Sequence, residues 1–141
     1  MKRIALLATA LLFASCNGEP TFSDAQLTFT SSVATSTPGP ATPEATGEGG
    51  AIRINGRFSS PCLGGTLHAG LREESRALTL RVEWQEPGGC YTAIGKHDYI
   101  ARISGLRPGD YHVRVIHEGE AGAGDSEMFD GTVRVLHPNL R

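Results

Sequence analysis

Residues 78–84, Leu-Thr-Leu-Arg-Val-Glu-Trp, decide the fold class. Leu78, Leu80, Val82 and Trp84 share one parity, and Thr79, Arg81 and Glu83 the other. In an extended chain successive side chains point to opposite faces, so this stretch predicts a strand with one apolar and one solvated face. The same period recurs outward from it. Ile52 and Ile54 alternate with Arg53 and Asn55, and Tyr99, Ala101 and Ile103 with Asp98, Ile100 and Arg102. Tyr111, Val113 and Val115 alternate with His112, Arg114 and Ile116, while Phe129, Val133 and Val135 stand opposite Thr132 and Arg134. Residues 66–71 and 90–94 complete about seven expected strands, and helical periodicity is confined to the first residues.

Turn chemistry separates these runs. Glu73-Glu74-Ser75 precedes the Leu78 strand and Pro87-Gly88-Gly89 follows it. Gly95-Lys96 matches the Gly-X loop of a type II′ hairpin. Arg107-Pro108-Gly109-Asp110 is the strongest turn signal, because proline presets one dihedral and glycine supplies the next. The expectation is an all-β domain over residues 51–141: a small antiparallel β-sandwich of about seven strands with immunoglobulin-like architecture.

Around that turn, Leu106-Arg107-Pro108-Gly109-Asp110-Tyr111 resembles the tyrosine corner of fibronectin type III and related Ig-like domains. The resemblance implies structural roles for Leu106, Pro108, Gly109 and Tyr111, with the phenol hydrogen-bonded to nearby backbone. Prealbumin-like sandwiches carry a similar corner, and the spacing of Cys62 and Cys90 does not map onto the usual Ig bridge. The topology stays open at this point.

The N-terminus speaks to compartment. Lys2 and Arg3 precede an apolar run, Ile4–Ala14, about half the ~20 residues needed to cross a bilayer as a helix. Such a pattern reads as a signal peptide, residues 1–15. Ala14-Ser15-Cys16 then resembles the lipobox of bacterial lipoprotein precursors, with Phe13 where leucine is usual. The resemblance implies an acylated (palmitate-bearing) Cys16 and a membrane partner reached through that lipid. Asn17, where aspartate would signal inner-membrane retention, implies an outer-membrane anchor if the organism has an outer membrane. Several acyl chains exceed what stable attachment requires.

Residues 16–50 are expected to be a flexible tether rich in Pro, Ser, Thr and Gly, with only a weak alternation at Gln26–Thr30. As a coil it would reach roughly 30–35 Å. Removing Lys2 and Arg3 from the 13 basic residues leaves 11 against 15 acidic ones, a net charge of −4. Nothing in that balance favours nucleic acid as a partner. With Cys16 lipidated, Cys62 and Cys90 remain as a disulfide pair in an oxidising compartment or as two buried thiols. A bridge would stabilise by ~3.6 kcal/mol in the chain-entropy account, which matters for a domain with a thin core.

The chemistry-bearing residues are sparse. His112 and His117 fall on opposite faces of their strand, so they cannot share an ion without a bulge. His68, His97 and His137 have no ligand spacing, and surface histidines are the simpler expectation; no metal or other cofactor is expected. Asp125, Glu127 and Asp130 offer oxygen ligands but not the spacing of a calcium loop. Gly122-Ala123-Gly124 lacks the frame of a dinucleotide loop, and no serine sits in a nucleophile elbow. An enzyme is therefore not expected. The long loop 118–130 is the candidate binding feature, through Gly122, Gly124, Asp125, Glu127 and an outward Met128, with Phe129 returning to the core. Arg81, Arg102, Arg114 and Arg134 are a second candidate, for an anionic polymer, though a mixed, solvated face alternating with Glu83 and Asp98 is the simpler expectation. The functional expectation is a non-catalytic envelope module for a protein or glycan partner; small metal or ligand binding, or a structural envelope role, are the alternatives.

Overall fold

A computed structural model describes residues 24–34, 42–89 and 93–138. The chain is all-β among them: two sheets of four strands pack face to face. The first sheet contains β1 (Gln26–Val33), β2 (Glu44–Glu48), β3 (Ala51–Ser60) and β6 (Gly95–Ser104), in the order β1-β6-β3-β2. The second contains β4 (Thr66–Glu74), β5 (Ala77–Gln85), β7 (Gly109–Glu118) and β8 (Ser126–Val135), in the order β4-β5-β7-β8. The alternating parities behave as expected. Ile52, Ile54, Leu78, Leu80, Val82, Tyr99, Ala101, Ile103, Tyr111, Val113, Val115, Val133 and Val135 all enter one core between the sheets.

Three expectations need correction. First, residues 26–33 and 44–48 are strands, not tether: β1 pairs along β6, and β2 along β3. In β1 only Leu27 and Phe29 reach the core, with Thr and Ser between them, so the apolar period is short. In β2, Gly47 stands where a Cβ would fall 1.7 Å from the Arg134 carbonyl oxygen. Pairing with β3 and close approach to β8 fix that strand with only Ala45 against the core, which leaves almost no hydrophobic pattern to read.

Second, Gly95-Lys96 is not a hairpin loop. Both residues open β6 and pair with Ser60 and Ser59 of β3. Within the expected strand 90–94, residues 93 and 94 are irregular and the others lie outside the described residues. Third, the second sheet is mixed. β5 and β7 run parallel, because the chain crosses to the other sheet as β6 and returns in the same direction.

The Pro-Gly turn is a corner between sheets, carrying β6 of the first into β7 of the second. Leu106 and Tyr111 are buried there. The ring of Tyr111 packs under the Arg76 guanidinium, 5.3 Å from its centroid, and the Arg76 carbonyl accepts the His112 N–H at 2.9 Å. A cation over the ring, reaching in from the β4–β5 turn, thus joins buried Leu106 and its N–H bond to the Gly50 carbonyl at this corner.

Candidate functional site

The loop expected over residues 118–130 is shorter than that: β7 ends at Glu118 and β8 begins at Ser126, so Glu127, Met128, Phe129 and Asp130 belong to β8, and the polar groups of the segment are turned onto its own sheet. Arg81 of β5 pairs with Glu118 and, at 3.3 Å, with Asp125. Arg114 of β7 holds Glu127 at 2.5 Å and Asp130 at 3.5 Å. Gly122 and Gly124 are exposed, flanking the short 3₁₀ turn Glu120–Gly122. Met128 is the extra residue of a β-bulge: Val115 pairs with Phe129 and Ile116 with Glu127. It is half-buried, and Phe129 packs against the core.

The other two arginines are also matched, Arg102 with Glu48 at 3.3 Å and Arg134 with Asp110 at 2.8 Å. The Arg134 hydrogen bond holds the Asp110 carboxyl below the usual carboxylate range. Each exposed pair contributes only ~0–1 kcal/mol, but together they cancel the basic charge that an anionic polymer would need. Arg81, Arg114 and Arg134 lie on the outer face of the second sheet and Arg102 on that of the first, so the four form two sets of ion pairs and no common stripe. On the second sheet's outer face His112 approaches Asp130 at 3.3 Å, and among the described residues no three His, Cys, Asp or Glu side chains converge.

The most developed polar constellation lies beneath this loop. Its centre is His117, on the inward parity of β7 with Tyr111, Val113 and Val115, and 0% exposed. The Tyr99 hydroxyl meets His117 Nε2 at 2.9 Å, and His117 Nδ1 meets a Glu120 carboxylate oxygen at 2.8 Å. The other Glu120 oxygen accepts the Ser59 backbone N–H at 2.9 Å. These partners assign the protons. A carboxylate accepts from Nδ1–H, which leaves the Nε2 lone pair to accept the phenol proton. Burial lowers the His117 pKa, with the Glu120 hydrogen bond and charge opposing, so the ring is neutral. Burial, together with the Glu120 charge, pushes the Tyr99 phenol well above its usual range.

Local sequence builds this arrangement. Gly56 of β3 pairs with Tyr99, and a Cβ there would fall 2.3 Å from the phenol oxygen. Only glycine lets the ring lie across the neighbouring strand. Phe29 stacks on Tyr99 at 5.6 Å and Phe58 packs on His117 at 5.1 Å. Glu120 is folded inward between Gly119 (φ 68°) and Ala121 (φ 50°). A non-glycine residue in the left-handed region costs ~1–2 kcal/mol, a strain that the carboxylate's two anchors, His117 and the Ser59 N–H, offset.

A second polar inclusion lies at the start of β6. Ser60 and His97 are both buried. The Ser60 hydroxyl donates to the Cys62 carbonyl at 2.7 Å, so its oxygen accepts from His97 Nε2–H at 3.3 Å. Burial again lowers the imidazole pKa. Cys62 is buried and its sulfur is disulfide-bonded. Cys90 lies outside the described residues, as do Cys16 and residues 1–15, the expected signal peptide.

No family model, curated protein or solved structure matches this chain. The site is therefore read from geometry alone. His97 and His117 are core groups, a correction to the expectation of surface histidines, since both sit at inward positions of their strands. His117 and His112 do lie on opposite faces. The inward parity of His117 was readable from its strand; its partners Glu120 and Tyr99 were not, since they lie on the turn and on the opposite sheet. Both ring nitrogens of His117 are occupied, so the triad braces the loop, with Tyr99 and His117 buried and the Glu120 side chain partly exposed.

Proposed function

We propose that this protein is a lipid-anchored envelope component whose β-sandwich acts as a non-catalytic recognition module for a protein or glycan partner. The observation that carries the non-catalytic part is the placement of its acid–base groups. The Tyr99–His117–Glu120 and Ser60–His97 sets are spent on each other, with both imidazoles buried. The sequence Ala14-Ser15-Cys16 after an apolar run supports the anchor, with the first residues as a cleaved signal peptide. The corner at Leu106–Tyr111 supports an Ig-like or fibronectin-like kinship within the sandwich class. We assign the second half of the Cys62 bridge to Cys90, the cysteine left once Cys16 carries lipid.

The corrected tether changes how such a module is presented. With β1 folded into the sandwich, the stretch between Cys16 and Gln26 is short. The domain is then held close to its membrane, with the β1 end nearest the lipid. Mass spectrometry of the chain recovered from a bacterial membrane fraction tests the reading in one experiment. The expected result is an N-terminal peptide beginning at an acylated Cys16, together with a disulfide-linked peptide joining residues 62 and 90. A free, unmodified Cys16 with the protein in the soluble fraction overturns the anchor. Cross-linking in the same envelope then reads out the partner.

A further inference from the structure

Three of the four sheet edges are guarded. β2 and β8 close against each other: Leu136 N–H donates to Glu48 and Gly50 N–H to Leu136, both at 3.0 Å. β4 carries His68, Arg72, Glu73 and Glu74 along its length, and charges of this kind keep other strands away. The remaining edge, β1, reads Gln-Leu-Thr-Phe-Thr-Ser-Ser-Val and holds neither a charge nor a proline.

The phase of that edge follows from its register. Val33 pairs with His97, and the next residue, Ala34, donates its N–H to the Lys96 carbonyl at 2.8 Å. In an antiparallel ladder, residues that exchange hydrogen bonds alternate with residues that do not. Ser32, Thr30, Thr28 and Gln26 therefore bond to β6, and Leu27, Phe29, Ser31 and Val33 aim their N–H and C=O groups along the open edge. Among the described residues no strand pairs with that edge. Val33 shares the parity of core-facing Leu27 and Phe29, yet its exposure is 68%.

We propose that this edge pairs with β1 of a second copy of the chain, antiparallel, with the two-fold axis passing through Thr30. In that register Leu27 faces the copy's Val33, Phe29 faces its Ser31, and Thr28 faces its Ser32. Every outward N–H and C=O of Leu27, Phe29, Ser31 and Val33 finds a partner, and the two four-stranded sheets become one. The strand is self-complementary: no like charges meet, Thr30 lies against Thr30, and exposed Val33 gains an apolar neighbour. An isologous pairing of this kind closes at two copies. It is independent of the anchor and of any further partner.

Cross-linking of the full chain in mild detergent, in a Cys16→Ala background, tests the register. Thr30 occupies a non-hydrogen-bonded position of the new ladder, where facing Cβ atoms come within disulfide reach. Thr30→Cys is expected to give a covalent dimer, whereas Thr28→Cys and Ser32→Cys, which face each other rather than themselves, do not. Sedimentation velocity is expected to show a dimer whose dissociation constant rises about tenfold or more in Thr30→Lys, with thermal unfolding showing that this exposed site leaves the fold intact. Equal cross-linking from Thr28→Cys, a dimer indifferent to Thr30→Lys, or a monomer at every soluble concentration each overturns the proposal. So does a monomer that instead adds a foreign extended peptide at β1.

Discussion

His97 and His117 are both inward-facing, both buried and both neutral, yet the core holds them in opposite ways. His117 donates from Nδ1 to a carboxylate and accepts a phenol proton at Nε2. His97 donates from Nε2 to the oxygen of a serine whose own proton is committed to the Cys62 carbonyl. The two rings are therefore opposite tautomers. A carboxylate is strong enough to hold a strained turn, with Ala121 at φ 50° beside it. The hydroxyl at the other site has only a strand end and a bridged cysteine to organise. The polar group recruited into this core scales with the backbone it has to restrain.

The largest effect belongs to His117→Ala. It removes a ring packed on Phe58 and Tyr99, and it strands a buried phenol and a carboxylate. The expected loss is ~3–5 kcal/mol, as for a broken buried pair or a large core truncation. At 4–8 °C per kcal/mol for a domain of this size, thermal unfolding drops by roughly 12 °C or more. Tyr99→Phe removes only the hydroxyl and is expected to cost ~1–2 kcal/mol. A His117→Ala loss below that of Tyr99→Phe would break the idea that His117 is the hub.

Acid separates the two sites next. The unfolded chain protonates its histidines near the ordinary value of 6.5, whereas burial lowers both in the fold. Below that pH the unfolded state binds more protons, so stability is full above about pH 6.5 and declines as pH falls toward the depressed folded values. At His117 the Glu120 hydrogen bond and charge oppose the effect of burial, whereas at His97 burial acts unopposed, so removing His97 separates the two contributions. In His97→Gln the stability profile below pH 6.5 is expected to flatten, by up to ~1.4 kcal/mol per pH unit, the limit for one proton. Equilibrium unfolding in denaturant from pH 7 to pH 5 checks it. An unchanged slope assigns the acid sensitivity to His117.

How far the sequence foretold this follows from what each feature depends on. Strands β3, β5, β6 and β7 bury one face each, and burial writes a period of two that Leu78–Trp84 displays without ambiguity. Strand β1 sits at an edge and half-buries two side chains, so its period fades among threonines and serines. Strand β2 is fixed by pairing with β3 and by the Gly47–Arg134 approach, and a glycine chosen for closeness looks like a glycine chosen for flexibility. The candidate loop is shorter than its glycines suggest, because residues 126–130 continue β8, and its carboxylates answer arginines on β5 and β7, a pairing that depends on strand order. The triad is the extreme case: Tyr99, His117 and Glu120 come from the first sheet, the second sheet and a turn. Only His117's parity was visible in one dimension.

The smallest expected effect is the sharpest test of the comparison. Ser60→Ala leaves the Cys62 carbonyl and the His97 Nε2–H without the hydroxyl that joins them, at a cost of ~1–2 kcal/mol. If the hydroxyl mainly fixes the His97 tautomer, the loss in the Ser60→Ala, His97→Gln double variant falls short of the sum of the two single losses, because both remove the same contact. Simple additivity would mean that Ser60 serves the Cys62 turn alone and that His97 is held by packing. The ¹⁵N shifts of the two imidazoles, recorded with and without Ser60, decide between these independently. The His97 ring is expected to lose its single Nε2–H form, while His117, tied to Glu120, keeps its proton on Nδ1.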